Sequence, residues 1–258
     1  MKVIGVFGKK GGSGKTLVSH FLAHGMSKGL DIDTLILQTD VRTVRPDEFH
    51  LKRRYAMTSV PNIDPETDLN HILQVYAKFA TQQNLVMIID GGANRSALDL
   101  ALAALCDIVL IPVGTSKEDI DVADGDYWAI RQTVHEKMKK AIEQTGAPFK
   151  QTQVLLLQNR WPGVKAKMDS LMAKPRIKDY IFKAEQQGML FPKYIPDMQS
   201  LAEIATHDDP KHTLMIDAQS KTFARYMAHA LGLEVQDNGN YVETDMEGDD
   251  DEGSRSAA

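Results

Sequence analysis

The feature that most constrains this chain is a stretch near its start, Gly8-Lys-Lys-Gly-Gly-Ser-Gly-Lys-Thr16. An apolar run at residues 3–7 precedes it, and a helix-compatible run at residues 17–24 follows. A tight Gly-rich turn between a strand and a helix points several backbone N–H groups into one concavity. Together with the helix N-terminus they favour a polyanion. Gly11, Gly12 and Gly14 let the backbone approach phosphate oxygens with no Cβ in the way. Lys15 reaches the outer phosphates, and the Thr16 hydroxyl is suited to ligate Mg²⁺. The spacing G-x-x-x-x-G-K-(S/T) would put its first glycine at position 9, where Lys9 stands, a solvated loop residue. A second lysine, Lys10, enters the loop, and a simple phosphate loop has no task for it.

The rest of the chain alternates apolar runs with helical stretches. Strands are expected at residues 3–7, 34–37, 85–89, 108–113, 153–157 and 194–195. Helices are expected at 17–28 (ended by Gly29), 71–82, 96–105, 119–144 (as one or two), 165–187 and 213–231. A polar, Arg-rich loop runs through Arg54, and no internal repeat or dividing linker is visible. Such alternation implies right-handed crossovers and an α/β fold, a mostly parallel twisted sheet with helices on both faces. Ligands then sit at the carboxyl ends of the strands.

Composition excludes several classes. Hydrophobic residues make up 43% of 258, enough for a globular core. No apolar run approaches the ~20 residues of a membrane span, and residues 1–7 read as a strand rather than a secretory leader. A single cysteine, Cys106, in an apolar stretch, excludes a disulfide framework and a Cys-x-x-Cys metal site. It is expected to be a packed core thiol, and the chain to be cytoplasmic.

The net charge of −5 conceals two parts. Residues 236–258 hold eight acidic residues and one basic residue, Arg255, and read as a disordered tail on a domain at 1–235. The remaining body carries 29 basic and 27 acidic residues, a net +2. The tail either competes with nucleic acid for basic patches or merely solubilises the chain.

Three further residues carry chemistry. Asp90 ends the buried run Leu85-Val-Met-Ile-Ile, where a carboxylate beside a phosphate loop holds a hydrated Mg²⁺. Asp40 follows the second strand and is suited to orient an attacking water. Asn159, past Val154-Leu-Leu-Leu-Gln158, offers an amide that both donates and accepts at a purine edge. Taken singly, each also reads as a turn residue.

Together these residues resemble the ParA/MinD family of deviant Walker A ATPases. The match is Lys10-Gly11-Gly12-Ser13-Gly14-Lys15-Thr16, which fits the family pattern K-G-G-x-x-K-(S/T). It extends more loosely through Asp40, the Asp90 strand, Cys106-Asp-Ile-Val-Leu-Ile-Pro-Val-Gly114, Leu155-Leu-Leu-Gln-Asn-Arg160 and residues 194–210, roughly residues 1–233. The resemblance implies the P-loop NTPase fold, ATP and Mg²⁺, and a homodimer that sandwiches two ATP molecules. Lys10 would cross to the partner subunit's nucleotide, and Lys10, Lys15 and Asp40 would be the catalytic residues. Residues 10–17 of the loop, Asn159, Pro196 and Asp197 would line the nucleotide, with Thr16 and Asp90 serving the metal. Two positions depart from the pattern. Gln38 stands where the first acid of an Asp-x-Asp pair is usual, and Leu17 replaces a second threonine near the α-phosphate. Both imply slow or partner-dependent hydrolysis.

The ParA branch binds DNA without sequence preference and partitions or positions plasmid, chromosome or other cargo through a ParB-like or other cargo adaptor. The MinD branch binds membrane through a C-terminal amphipathic helix, which the acidic C-terminus here disfavours. A basic segment suits DNA: residues 160–183 carry +5 in 24 residues, with Arg160, Lys165, Lys167, Lys174, Arg176 and Lys178 as candidate phosphate contacts. A solvated helix face with aromatics in the core explains the same run equally well. The expected function is a ParA-like positioning ATPase, nucleoid-associated if it binds DNA. The alternatives are a non-catalytic nucleotide-dependent adaptor, in conjugation or cell-pole assembly, and a metabolic ligase or kinase on the same fold.

Overall fold

The computed structural model describes residues 1–39, 54–60, 64–93, 96–146, 151–198 and 214–235. The expectations for Asp40, most of the Arg-rich loop and the acidic tail fall outside the described residues.

A seven-stranded parallel sheet forms the centre, in the order β3-β2-β4-β1-β5-β6-β7. The strands are β1 (Lys2–Val6), β2 (Asp33–Gln38), β3 (Ala56–Ser59), β4 (Leu85–Asp90), β5 (Ile108–Val113), β6 (Gln153–Trp161) and β7 (Ile195–Pro196). The helices are α1 (Lys15–His24), α2 (Pro65–Phe79), α3 (Ser96–Ala103), α4 (Lys117–Thr145), α5 (Lys165–Met172), α6 (Pro175–Gln186) and α7 (Leu214–Ala230). β2 and β3 lie to one side of β1, β4 returns to insert between β2 and β1, and β5, β6 and β7 follow on the other side, so the loop after β1 opens at the point where the strand order reverses.

The sheet is buried on both faces because its strands are apolar at successive positions. Alternation divides them between two layers. Leu35, Leu37, Met87, Ile89, Val109, Ile111 and Leu156 face the layer built by α2 to α6. Ile4, Val6, Ile36, Ile88, Leu110, Leu155 and Leu157 face α1 and α7. Cys106 is a buried core thiol, as expected.

Local chemistry sets the helix ends. The Asp64 carboxylate accepts from the Glu66 and Thr67 amides (3.0 and 2.9 Å), and Pro65 follows at the first helical position, so α2 begins before residue 71. Ser116 and Asp119 form a capping box at the start of α4, and Gly146, with φ 65°, ends it. α4 is one helix of 29 residues, whereas residues 165–187 divide into α5 and α6 at Pro175. β3 has no apolar signature; it forms because its backbone completes the parallel edge of β2, Leu35 opposite Ala56. β6 runs on through polar Gln158, Asn159 and Arg160 to Trp161.

The first helix ends differently from expectation. After His24 the chain continues as a π-helical turn, Gly25–Gly29, against α7. His24 Nε2 and Lys28 Nζ reach the two oxygens of Asp217 at 2.8 and 2.7 Å. A Cβ on Gly25 would run into the Ser220 carbonyl oxygen, and one on Gly29 would stand 2.9 Å from Lys221 Cβ. Gly25→Ala is therefore expected to lower stability by about 1–3 kcal/mol through overpacking, read as a lower midpoint in urea unfolding.

Candidate functional site

The site lies at the carboxyl end of β1. Gly8, Gly12 and Gly14 have φ of 148°, 77° and 89°, conformations that glycine adopts at little cost. Gly14 opens α1, and no side chain caps that helix. Its first-turn amides are thus left to an external acceptor. A Cβ on Gly14 would collide with the Asn159 amide nitrogen, so the cradle tolerates no side chain there.

The neighbouring strand tips complete the rim. Register places Val6 and Gln38 level with Asp90 on either side of β4. Asp90 is buried; its Oδ1 lies 3.1 Å from the Ser19 hydroxyl, which is also 3.1 Å from the Lys15 carbonyl. Thr39 donates both its amide and its hydroxyl to the Asp90 carbonyl at 3.0 Å, and its Oγ1 accepts from the Gly92 amide. Asp90 is thereby tied to α1 and to the β2 turn. Gln38 is fully buried, and neither atom of its amide has a hydrogen-bond partner among the described residues.

The two loop lysines part company. Lys15 is buried, and its ammonium donates to the Lys10 carbonyl at 3.0 Å, keeping it inside the loop. Lys10 points outward to the first turn of α4, 2.8 Å from Asp119 Oδ1 and 3.1 Å from Glu118 Oε1. The hydrogen bonds that its ammonium donates to Asp119 and then to Glu118 raise the Lys10 pKa. Burial pushes Asp119 up, but the Lys10 ammonium and the Ser116 hydroxyl and amide outweigh it and hold Asp119 below its ordinary value. Further along α4, buried Asp126 accepts from the Lys9 amide at 2.8 Å. Sequence reasoning missed these three acids. Asp119 and Asp126 are two helical turns apart and so share a face, but nothing local says that this face meets the loop.

Asn159 arrives from β6. Its amide nitrogen donates to the Ser13 carbonyl at 2.8 Å, while its buried Oδ1 has no partner among the described residues. Pro196 and Asp197 lie beside it: Asn159 pairs with Ile195, Trp161 with Pro196, and the Asp197 amide donates to the Trp161 carbonyl. A pocket of about 190 Å³ lined by Phe21, Gly163, Tyr194, Pro196 and Phe223 adjoins this edge. The structure thus brings together the loop, Asp90, Asn159 and Pro196-Asp197; Leu17 is buried in the α1 layer.

The basic residues separate. Arg160 stands at the rim beside the loop, whereas Lys165 and Lys167 lie on α5, Arg176 and Lys178 on α6, and Lys174 at its N-cap, all five exposed. Arg176 already pairs with Asp121 of α4. Trp161 is core and Phe182 is 59% exposed, so the aromatics divide between interior and surface.

Seven parallel strands, with a phosphate-type loop after the central one, match solved structures of McdA, MinD and ParA proteins, and also that of a cobyrinic acid a,c-diamide synthase from Mycobacterium smegmatis with bound ADP and magnesium (TM-score 0.55, 14% identity, covering 91% of this chain and 98% of that one). The ATP complex of a McdA variant from Cyanothece has a TM-score of 0.59 and 17% identity, covering 91% of this chain and 97% of that one. The MinC:MinD cell division protein complex of Aquifex aeolicus gives 0.59 and 13%, with 91% and 97% coverage. A ParA family ATPase from Chlorobium tepidum gives 0.56 and 15%, with 88% and 98% coverage. The fold is that of the ParA/MinD family of P-loop ATPases. No family model matches the sequence. A comparison with curated protein sequences found no match either.

In a ParA/MinD fold the cradle at Gly14, the uncapped start of α1 and the buried Asn159 Oδ1 have the chemistry to fit a nucleotide, and Thr16 in the first turn of α1 and Asp90 at the tip of β4 carry oxygen donors of the kind Mg²⁺ takes. Among the described residues no helix is long and apolar enough to cross a membrane. They hold no group of three or more His, Cys, Asp or Glu side chains placed for a metal. Mg²⁺ on phosphates needs no such cage.

The Lys10–Asp119 contact has a defined pH range. Asp119, lowered on folding, adds stability above its unfolded pKa of about 3.9 and loses it as pH falls through the lower folded value. Lys10, raised on folding, adds stability below about 10.4 and loses it as pH rises through the higher folded value. In the double variant Glu118→Gln, Asp119→Asn, ¹³C NMR of the lysine Cε is expected to show the Lys10 midpoint falling back toward about 10.4. An unchanged midpoint would mean that the pair does not form in solution.

Proposed function

We propose that this chain is a ParA-like ATPase that dimerises on ATP, binds duplex DNA without sequence preference and positions a cargo. The observation that carries the reading is the divergence of the two loop lysines. Lys15 serves its own loop, and Lys10 leads away from it to acids at the molecular surface, where Glu118 is 77% exposed. A cation so placed is available to a neighbouring subunit's phosphates once they outcompete Asp119 and Glu118 for it.

In this reading the first-turn amides of α1 and Lys15 hold the phosphate chain, and Thr16 with Asp90 holds Mg²⁺. The metal, when bound, neutralises charge on the phosphoryl oxygens. Asn159 Oδ1 accepts from the adenine amine, since its nitrogen is engaged by Ser13. Asp40 positions the attacking water. Exposed Lys165, Lys167, Lys174 and Lys178, with Phe182, form the DNA face. A cargo adaptor relieves slow hydrolysis.

One observation favours a second reading, an adaptor that binds ATP with negligible turnover. Gln38, buried level with Asp90, brings no charge to the site, so it cannot serve as a base. Single-turnover hydrolysis distinguishes the two.

The deciding experiment is binding to non-specific duplex DNA without nucleotide, with ADP and with ATP, at two salt concentrations. Wild type is expected to bind only with ATP and more weakly at higher salt. Lys10→Ala is expected to bind at least tenfold more weakly, and Lys15→Ala to lose ATP binding itself. ATP binding without DNA binding in any state would overturn the positioning role.

A further inference from the structure

The end of β6 is built in a way that its DNA-patch reading does not explain. Successive residues of a strand face opposite sides, and β6 obeys this through Leu155, Leu156 and Leu157. On that count Trp161 would share the side of Leu155 and Leu157. It lies instead in the opposite layer with Leu156, fully buried, its indole N–H on the Val113 carbonyl at 3.0 Å. The register against β7 shifts between Asn159 and Trp161, and the residue between them is Arg160, with φ 59°. A bulge of this kind re-aims a side chain.

The cost is visible in the residue type. The left-handed region is unfavourable for a residue with a Cβ. Asp31, the other described non-glycine residue with positive φ, is of a type that tolerates it. Arginine gains nothing comparable, and its neighbours impose the conformation. Asn159 is tied to Ser13, and Trp161 to Val113 and Asp197.

The bulge delivers Arg160 to the phosphate loop. A Cβ built on Gly14 would stand 3.9 Å from Arg160 Nε. Gly14 is the N-cap of α1, the positive end of that helix dipole. A guanidinium beside a helix N-terminus that also carries Lys15 is repelled by both unless an anion lies between them. Arg160 is exposed and forms no hydrogen bond or ion pair among the described residues. Backbone strain and unfavourable charge at one residue have a common remedy, a polyanion in the loop.

We propose that Arg160 is a nucleotide-contacting residue whose guanidinium grips the phosphate chain of a nucleoside di- or triphosphate held by its own subunit's loop. The inference rests on the reading of the loop as a nucleotide site. It assigns Arg160, a candidate phosphate contact for DNA in the sequence, to the nucleotide, and leaves the DNA face to Lys165, Lys167, Lys174 and Lys178. The planar fork of arginine suits two phosphate oxygens, which a lysine ammonium cannot match.

The test uses the full chain with Mg²⁺ and fluorescent mant-ATP, mant-ADP and mant-AMP. The variants are Arg160→Gly, which removes the cation and relieves the backbone, Arg160→Lys, which keeps the charge, and Lys15→Ala. Arg160→Gly is expected to bind mant-ATP and mant-ADP at least tenfold more weakly, with an unfolding midpoint in the absence of nucleotide equal to or above wild type. Arg160→Lys should fall between. At saturating ATP, binding of Arg160→Gly to non-specific duplex DNA should match wild type. Wild-type nucleotide affinity in Arg160→Gly would overturn the inference. So would wild-type nucleotide affinity combined with lost DNA binding, which would return Arg160 to the DNA face. If Arg160→Gly fails to fold, wild-type affinity in Arg160→Lys would overturn the inference in its place. Absence of nucleotide binding in wild type would sink the reading of the loop itself. Its loss in Lys15→Ala alone, with Arg160→Gly unaffected, would sink only the assignment of Arg160.

Discussion

Positive charge concentrated around one glycine-rich loop is the constraint around which this molecule is arranged. The uncapped first turn of α1, buried Lys15, Lys10 and Arg160 converge on one loop. Each would be unfavourable beside the others in the absence of negative charge. Lys10 is turned away to Asp119 and Glu118, and the Lys9 amide is taken by Asp126. The long helix α4 thus supplies carboxylates to the loop from outside, while Asp90 stands beneath it at the tip of β4. Nucleotide phosphates would enter the same balance, and their competition with α4 for Lys10 is the physical basis of the switch proposed above.

The sheet makes this balance possible by being rigid. Strands β4 and β5 are buried at every position, and the two apolar layers leave the strand tips no freedom to move apart. Asp90, Gln38 and Val6 are level because register is fixed by burial on both faces. The close approach of Gly25 and Gly29 to α7 anchors the far end of α1, so its N-terminus is held as well. Some of the buried polar atoms without a hydrogen-bond partner among the described residues lie at the site. Gln38 and Asn159 Oδ1 are both buried at the carboxyl edge, where an unsatisfied group in the absence of ligand is a reservoir for binding.

Much of this architecture was legible. The alternation of apolar runs and helical stretches gives the order of elements, because strand and helix periods are local properties. The spacing of Lys10, Gly14, Lys15 and Thr16 identifies the cradle, and the runs ending at Asp90 and Asn159 place those side chains at its rim. Less legible were elements without a pattern of their own. β3 is a short edge strand stabilised by its neighbour's backbone, and the polar end of β6 reads as a loop. The start of α2 at Asp64-Pro65 carries a capping signal that apolar periodicity alone overlooks.

By itself, then, the sequence determined the fold class, the phosphate loop and the residues of the strand tips, since these follow from short-range chemistry and hydrophobic period. Only the tertiary structure decided which acids hold Lys10, why Asn159 has its nitrogen engaged and its oxygen available, and that Arg160 turns to the loop rather than to the helices that follow it. Glu118 and Asp119 are more than 100 residues from Lys10, and Asn159 is 146 from Ser13. Such contacts arise from parallel crossovers that bring distant strand ends to one edge. The fate of Arg160 depends on a one-residue bulge, set by Trp161 packing into the opposite layer. Pairing and packing across the sheet leave no local trace in the order of residues.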